Sequence, residues 1–127
     1  MGRNLVLDAG ALIGVERGSE MIAGLVEAAD KRGDGVVIPA SALAQVWRGG
    51  PRAARLVKLL RTSEVDPLDE RRAKEIGVRL GAHGANDVAD AHVVCCGVEH
   101  EAALATSDVD DMELLIEPDD PVRIQPV

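Results

Sequence analysis

Asn4-Leu5-Val6-Leu7-Asp8-Ala9-Gly10-Ala11-Leu12 runs three apolar residues straight into a carboxylate. A short continuous apolar run of this kind reads as a strand buried on both faces, as in parallel sheets. Asp8 cannot lie deep in such a strand without a partner, because an unpaired buried charge is too costly. Its place is therefore the carboxyl end of the strand, the edge at which open α/β sheets bind ligands. Gly10 gives the backbone room to turn into the next helix.

Outward from this stretch, strands alternate with helices. Val36-Val37-Ile38 is a second buried strand, ended by Pro39, and Glu64–Leu68 a weaker third. Ala102–Ala105 is a fourth, ending at Thr106-Ser107-Asp108, and Val122–Ile124 an edge-like fifth. Between them, helical spacing marks a short turn at Ala11–Val15, a helix over 20–31, one capped by Ser41, one from Pro51 to Arg61, one from Asp69 through Leu80, and one over 88–98 capped by Asn86 or Asp87. A short helix follows Asp108. The expected architecture is a single α/β domain over residues 1–127, a three-layer α/β/α sandwich around a mainly parallel sheet. Right-handed crossovers then bring the carboxyl ends of the strands to one edge.

Composition narrows the function classes. Hydrophobic residues make up 46% of the 127, which argues against disorder, and with no Phe or Tyr the core must be aliphatic. The net charge is −8, unevenly spread: residues 39–63 hold Arg48, Arg52, Arg55, Lys58, Arg61 and no acid, +5 in all, while the rest carries −13. The basic segment suits a phosphate-facing patch, a solvated helix face or a contact for an acidic partner. Arg48, Arg52 and Arg55 form a stripe if one helix runs through Gly49-Gly50. Trp47 suits base stacking or packing. Cys95 and Cys96 read as small buried hydrophobes, without the spacing of a disulfide framework. No stretch approaches the ~20 apolar residues of a membrane span. With the first apolar run cut at once by Asp8, no secretory leader is read, and the cytoplasm is the expected location.

Four acids stand out. Asp8 and Asp108 fall at strand ends, as ligands or as helix caps. Asp87 and Asp90 are three apart in a first helical turn, their Cβ atoms ~5–6 Å apart on one face. Two like charges there repel unless a cation or the helix N-terminus offsets them. Together they suit a hard cation such as Mg²⁺, which takes a few carboxylates and retains waters. Asp110 and Asp111 read as solvated acids. His83, His92 and His100 lack zinc spacing. Thr106 and Ser107 can offer a hydroxyl to a phosphate or a water.

With Leu5–Leu12, Asp87-Val88-Ala89-Asp90-Ala91-His92-Val93-Val94 and Ala105-Thr106-Ser107-Asp108 in this order and spacing, the chain resembles a PIN-domain ribonuclease, and within that group the toxin of a VapBC toxin–antitoxin pair. The resemblance implies endonucleolytic cleavage of RNA with Mg²⁺ or Mn²⁺. It makes Asp8, Asp90 and Asp108 the catalytic, metal-binding acids, with Asp87 a further ligand. Arg48, Arg52 and Thr106 are then substrate contacts. It also implies an antitoxin partner and a homodimer, with no membrane association. Two positions depart from the family. Gln45 stands where a glutamate is usual, and an amide supplies neither negative charge nor a general base. Gly10 stands where a serine or threonine is frequent. A catalytically weak protein of this fold that binds RNA or an antitoxin is the alternative. A phospho-accepting receiver domain fits poorly, because no lysine follows Lys74 and the middle strand runs into Pro67.

Overall fold

The computed structural model describes residues 4–127. Five strands form one sheet: β1 (Leu5–Leu7), β2 (Val36–Pro39), β3 (Glu64–Asp66), β4 (Ala103–Thr106) and β5 (Arg123–Pro126), in the spatial order β3-β2-β1-β4-β5. Every pairing is parallel. Seven α-helices connect them: α1 (Ala9–Glu16), α2 (Glu20–Arg32), α3 (Ala40–Val46), α4 (Ala54–Leu60), α5 (Glu70–His83), α6 (Val88–His100) and α7 (Val109–Leu115). This is the expected α/β class. None of the described helices is long and apolar enough to cross a membrane.

The strand order explains where a site can form. The chain moves outward from β1 through β2 to β3, then crosses back to β4 on the other side of β1. The order reverses between β1 and β4, and the crevice outside their carboxyl ends is where such sheets bind ligands. The register pairs Leu7 with Ala105, and the Asp8 N–H continues it by donating to the Ala105 carbonyl at 3.1 Å. β1, β2 and β4 are buried along their whole length, so their aliphatic runs fill both layers. Val6, Leu7, Val37, Ile38, Leu104 and Ala105 are fully enclosed without a single aromatic ring.

Several boundaries differ from expectation. The helix after β1 starts at Ala9 instead of Ala11, because the Asp8 carboxylate caps it. The third helix starts at Ala40 with Pro39 before it, so Ser41 lies inside and caps nothing. It ends at Val46: Trp47 is extended, and Gly49 (φ 75°) and Gly50 (φ 67°) take left-handed backbone conformations. The arginine stripe that needed one continuous helix is therefore not formed. Trp47 is 38% exposed and contributes little to the core. Cys95 and Cys96 are buried free thiols, as expected.

A buried polar network stands behind the sheet edge. Arg72 of α5 is 1% exposed. Its Nε and Nη2 donate to the two oxygens of Asp66, each at 2.9 Å, and Nη1 donates to Glu75 at 2.6 Å. His92 Nε2 lies 2.7 Å from Asp66 Oδ2, and His92 Nδ1 lies 2.7 Å from Ser41 Oγ. A carboxylate only accepts, so Nε2 carries the proton and Nδ1 accepts from the Ser41 hydroxyl. The network ties β3, α3, α5 and α6 together. Removing one partner of such a pair strands a buried charge. Arg72→Ala is therefore expected to cost about 3–5 kcal/mol in urea unfolding, far more than removal of an exposed arginine.

The same network makes the fold acid-sensitive. Burial holds His92 below its ordinary value of 6.5, outweighing the pull of Asp66. Burial alone would raise Asp66, but the hydrogen bonds from Arg72 and His92 overcome it and hold the carboxyl below 3.8. As pH falls through about 6.5 the unfolded chain protonates His92 before the folded one does, so stability falls. The contribution of Asp66 is present above 3.8 and is lost as pH drops through its depressed folded value. Between about pH 7.5 and pH 5 the raised Asp8 and Asp90 carboxyls act in the opposite sense, so the His92 contribution is read as a difference: the urea midpoint of His92→Asn should gain on that of the wild type as pH falls.

Candidate active site

Asp8 is 3% exposed at the end of the central strand. Its Oδ1 accepts from the Ala11 N–H at 2.8 Å, capping α1. Burial raises its pKa above 3.8. The Thr106 hydroxyl and the Ala11 N–H pull it down, the Asp108 charge pushes it up, and the Ser107 N–H also donates to it. Asp8 is thus a buried carboxylate held by donors, with no basic partner among the described residues.

Asp87 caps α6, accepting from the Asp90 N–H at 2.9 Å, and Asp90 sits one turn in. Burial and the neighbouring charges of Asp87, Asp111, Asp108 and Asp8, in that order, push Asp90 up to about 6. Asp108 precedes α7 in the capping position, yet its side chain makes no capping bond, so its carboxylate stays free. Asp8, Asp87, Asp90 and Asp108 therefore meet at the carboxyl edge between β1 and β4. Asp111, read from sequence as a solvated acid, belongs with them. Its signal was present: Asp108 and Asp111 repeat the three-residue spacing of Asp87 and Asp90.

Other expected contacts lie elsewhere. Thr106 is fully buried. Its Oγ1 accepts from the Asp108 N–H at 2.8 Å while its hydroxyl donates to Asp8, so it is corrected from a substrate contact to a brace between two acids. Arg48 folds back on the Trp47 carbonyl at 2.8 Å. Arg52 pairs with Glu16 at 3.0 Å, and Arg55 donates to the Glu16 carbonyl at 3.1 Å. Glu16 ends the helix that Asp8 caps, about 12 Å along it at 1.5 Å per residue. Arg52 and Arg55 are thus set apart from the acids. Gln45 is exposed on α3.

A second cluster has softer donors. Asp66, Cys96 and His100 present atoms within 4.8 Å of one another, the one such group of three among the described residues. The acids of the β1/β4 corner form no such tight group of three. Asp66, however, already has both oxygens on Arg72, and burial pushes the Cys96 thiol far from ionising. A cation there would have to displace a guanidinium and deprotonate a buried thiol. At the corner Asp87, Asp108 and Asp111 are exposed carboxylates.

No family model and no curated protein matches this sequence. The fold is that of PIN-domain toxins. It is similar to a chain of VapBC2 from Rickettsia felis, solved bound to a DNA fragment from its promoter, with a TM-score of 0.71 at 12% identity over 98% of each chain. It is also similar to a chain of FitAB bound to an IR36 DNA fragment, with a TM-score of 0.65 at 15% identity over 96% of this chain and 94% of that one.

The charge crowding has a direct readout. In metal-free protein, carbon-detected NMR should place the Asp90 carboxyl midpoint near 6. Asp87→Asn should lower it, since Asp87 is the strongest of the neighbouring charges.

Proposed function

We propose that this protein is a divalent-cation-dependent endoribonuclease and the toxin of a toxin–antitoxin pair. The observation that carries this reading is the convergence of Asp8, Asp87, Asp90, Asp108 and Asp111 at the β1/β4 switch point, crowded enough to push Asp90 up to about 6. The donors fit Mg²⁺ or Mn²⁺: they are carboxylate oxygens, the hard ligands that such cations take together with retained waters. When bound, such a cation acidifies a water and offsets charge on a phosphate.

The chain's own residues supply the rest. Asp8 and Asp108 hold the cation from two adjacent strand ends, and Thr106 fixes their relative position. Asp90, one turn into α6 beside these acids, would accept the proton of the attacking water. Asp87 anchors the first turn of α6 and so aims Asp90. Without a cation the corner repels RNA, so metal must bind before or with substrate.

The likeness to VapBC2 and FitAB supports an antitoxin partner. Both are complexes on DNA, and a chain of net charge −8 is a poor duplex binder, so a basic partner would carry any DNA contact. A homodimer is part of the same reading. Gln45 favours one alternative, a protein of this fold that binds RNA without cutting it.

Cleavage of a mixed RNA pool with Mg²⁺, Mn²⁺ or EDTA decides between them. Cleavage should require the cation and fall at least about a hundredfold in Asp8→Asn, Asp90→Asn and Asp108→Asn. RNA retained but uncut with every cation would favour the binding protein, and a fully active Asp8→Asn would sink the nuclease assignment.

A further inference from the structure

Gly10 lies in the first turn of α1, two residues after Asp8. A Cβ built on it would overlap Ser107 Oγ and would lie 3.2 Å from Ser107 Cβ and 3.4 Å from Asp8 Oδ1. The Ser107 hydroxyl thus fills the space that any side chain at position 10 would take, and both flank the same carboxylate. The backbone holds Ser107 there, because its N–H donates to Asp8 while the Thr106 hydroxyl is committed to Asp8 and Asp108. Ser107 itself is exposed and lines the cleft formed with Asp108, Asp110 and Asp111.

The donor count gives this placement its meaning. The carboxylates at this corner are acceptors when ionised, and so are the oxygens of a phosphodiester. A phosphate brought here needs donors, and Thr106 has none to spare. We propose that Gly10 and Ser107 are a matched pair: the bare Gly10 admits the Ser107 hydroxyl beside Asp8, where it donates to a phosphate oxygen of bound RNA. Ser107 is then a substrate-binding residue, a role that rests on reading the corner as an RNA phosphodiester site.

The obstacle at position 10 is mainly a rotatable hydroxyl, so Gly10→Ala swings that hydroxyl out without breaking α1, where alanine is the better helix former. The test is binding of an RNA followed by fluorescence anisotropy with Ca²⁺ in place of Mg²⁺, with gels to verify that the RNA stays whole and melting temperatures to verify folding. Ser107→Ala and Gly10→Ala should each weaken binding by about tenfold, the scale of one hydrogen bond to a charged group. The double variant Gly10→Ala/Ser107→Ala should be no weaker than Ser107→Ala alone. Gly10→Ser/Ser107→Ala, which returns a hydroxyl from the other side, should recover most of the loss. Wild-type binding by Ser107→Ala, or losses that add in the double variant, would overturn the pair. Cleavage by wild type and Asp8→Asn reports separately on the nuclease: an uncut substrate whose binding still depends on Ser107 removes hydrolysis and keeps the pair. Normal cleavage and binding by Ser107→Ala removes the pair and keeps the nuclease.

Discussion

A carboxylate buried at the end of the central strand is the constraint on which the rest of this structure depends. Asp8 has only 3% of its surface exposed, and a charge so placed is unfavourable unless donors surround it. The fold supplies them from two directions. The Ala11 N–H comes from the helix that Asp8 itself starts, and the Thr106 hydroxyl and Ser107 N–H come from the end of the neighbouring strand. β1 and β4 must therefore be in register to their last residues, which the bond from the Asp8 N–H to Ala105 enforces. The acid and the sheet register specify each other.

The remaining acids arrive on α6 and α7, so those helices need equally firm placement. Two faces of α6 have opposite duties. Asp90 points its charge at the corner, while His92, two residues on, faces Asp66 and Ser41. Asp66 is the end of β3, and Arg72 grips both of its oxygens. The ion pair is thus far more than a charge count: it fixes the sheet edge against α5 and, through His92, fixes the rotation of α6. With no Phe or Tyr and its one Trp partly exposed, the core gains from directional polar contacts part of the specificity that ring packing supplies elsewhere.

The parallel sheet was legible because its strands leave a local mark, and the four acids stand out as candidates for the same reason. Leu5-Val6-Leu7 before Asp8 is a buried strand meeting a charge, and Asp87 with Asp90 is a spacing. Thr106 was misread because its residue type suits a substrate contact equally well; only burial shows its hydroxyl already spent. Arg48 and Arg52 were drawn toward the acids by charge logic, but the left-handed backbone at Gly49 and Gly50 turns the chain away. The Ser41–His92–Asp66–Arg72 network joins residues up to 51 positions apart, and no local pattern announces it. Gly10 and Ser107 were each visible, yet their exclusion of one another is a property of two elements in contact.

The arginines near Glu16 bear on how the acidic corner meets a polyanion. Arg52 and Arg55 sit at the far end of α1, about 12 Å from Asp8 at 1.5 Å per residue. At physiological salt the Debye length is about 8 Å, so charges at that distance across solvent barely soften the field at the corner. Arg52 is further offset by its own ion pair with Glu16. The neighbouring carboxylates therefore act on Asp90 with little relief, and with burial they push it up to about 6.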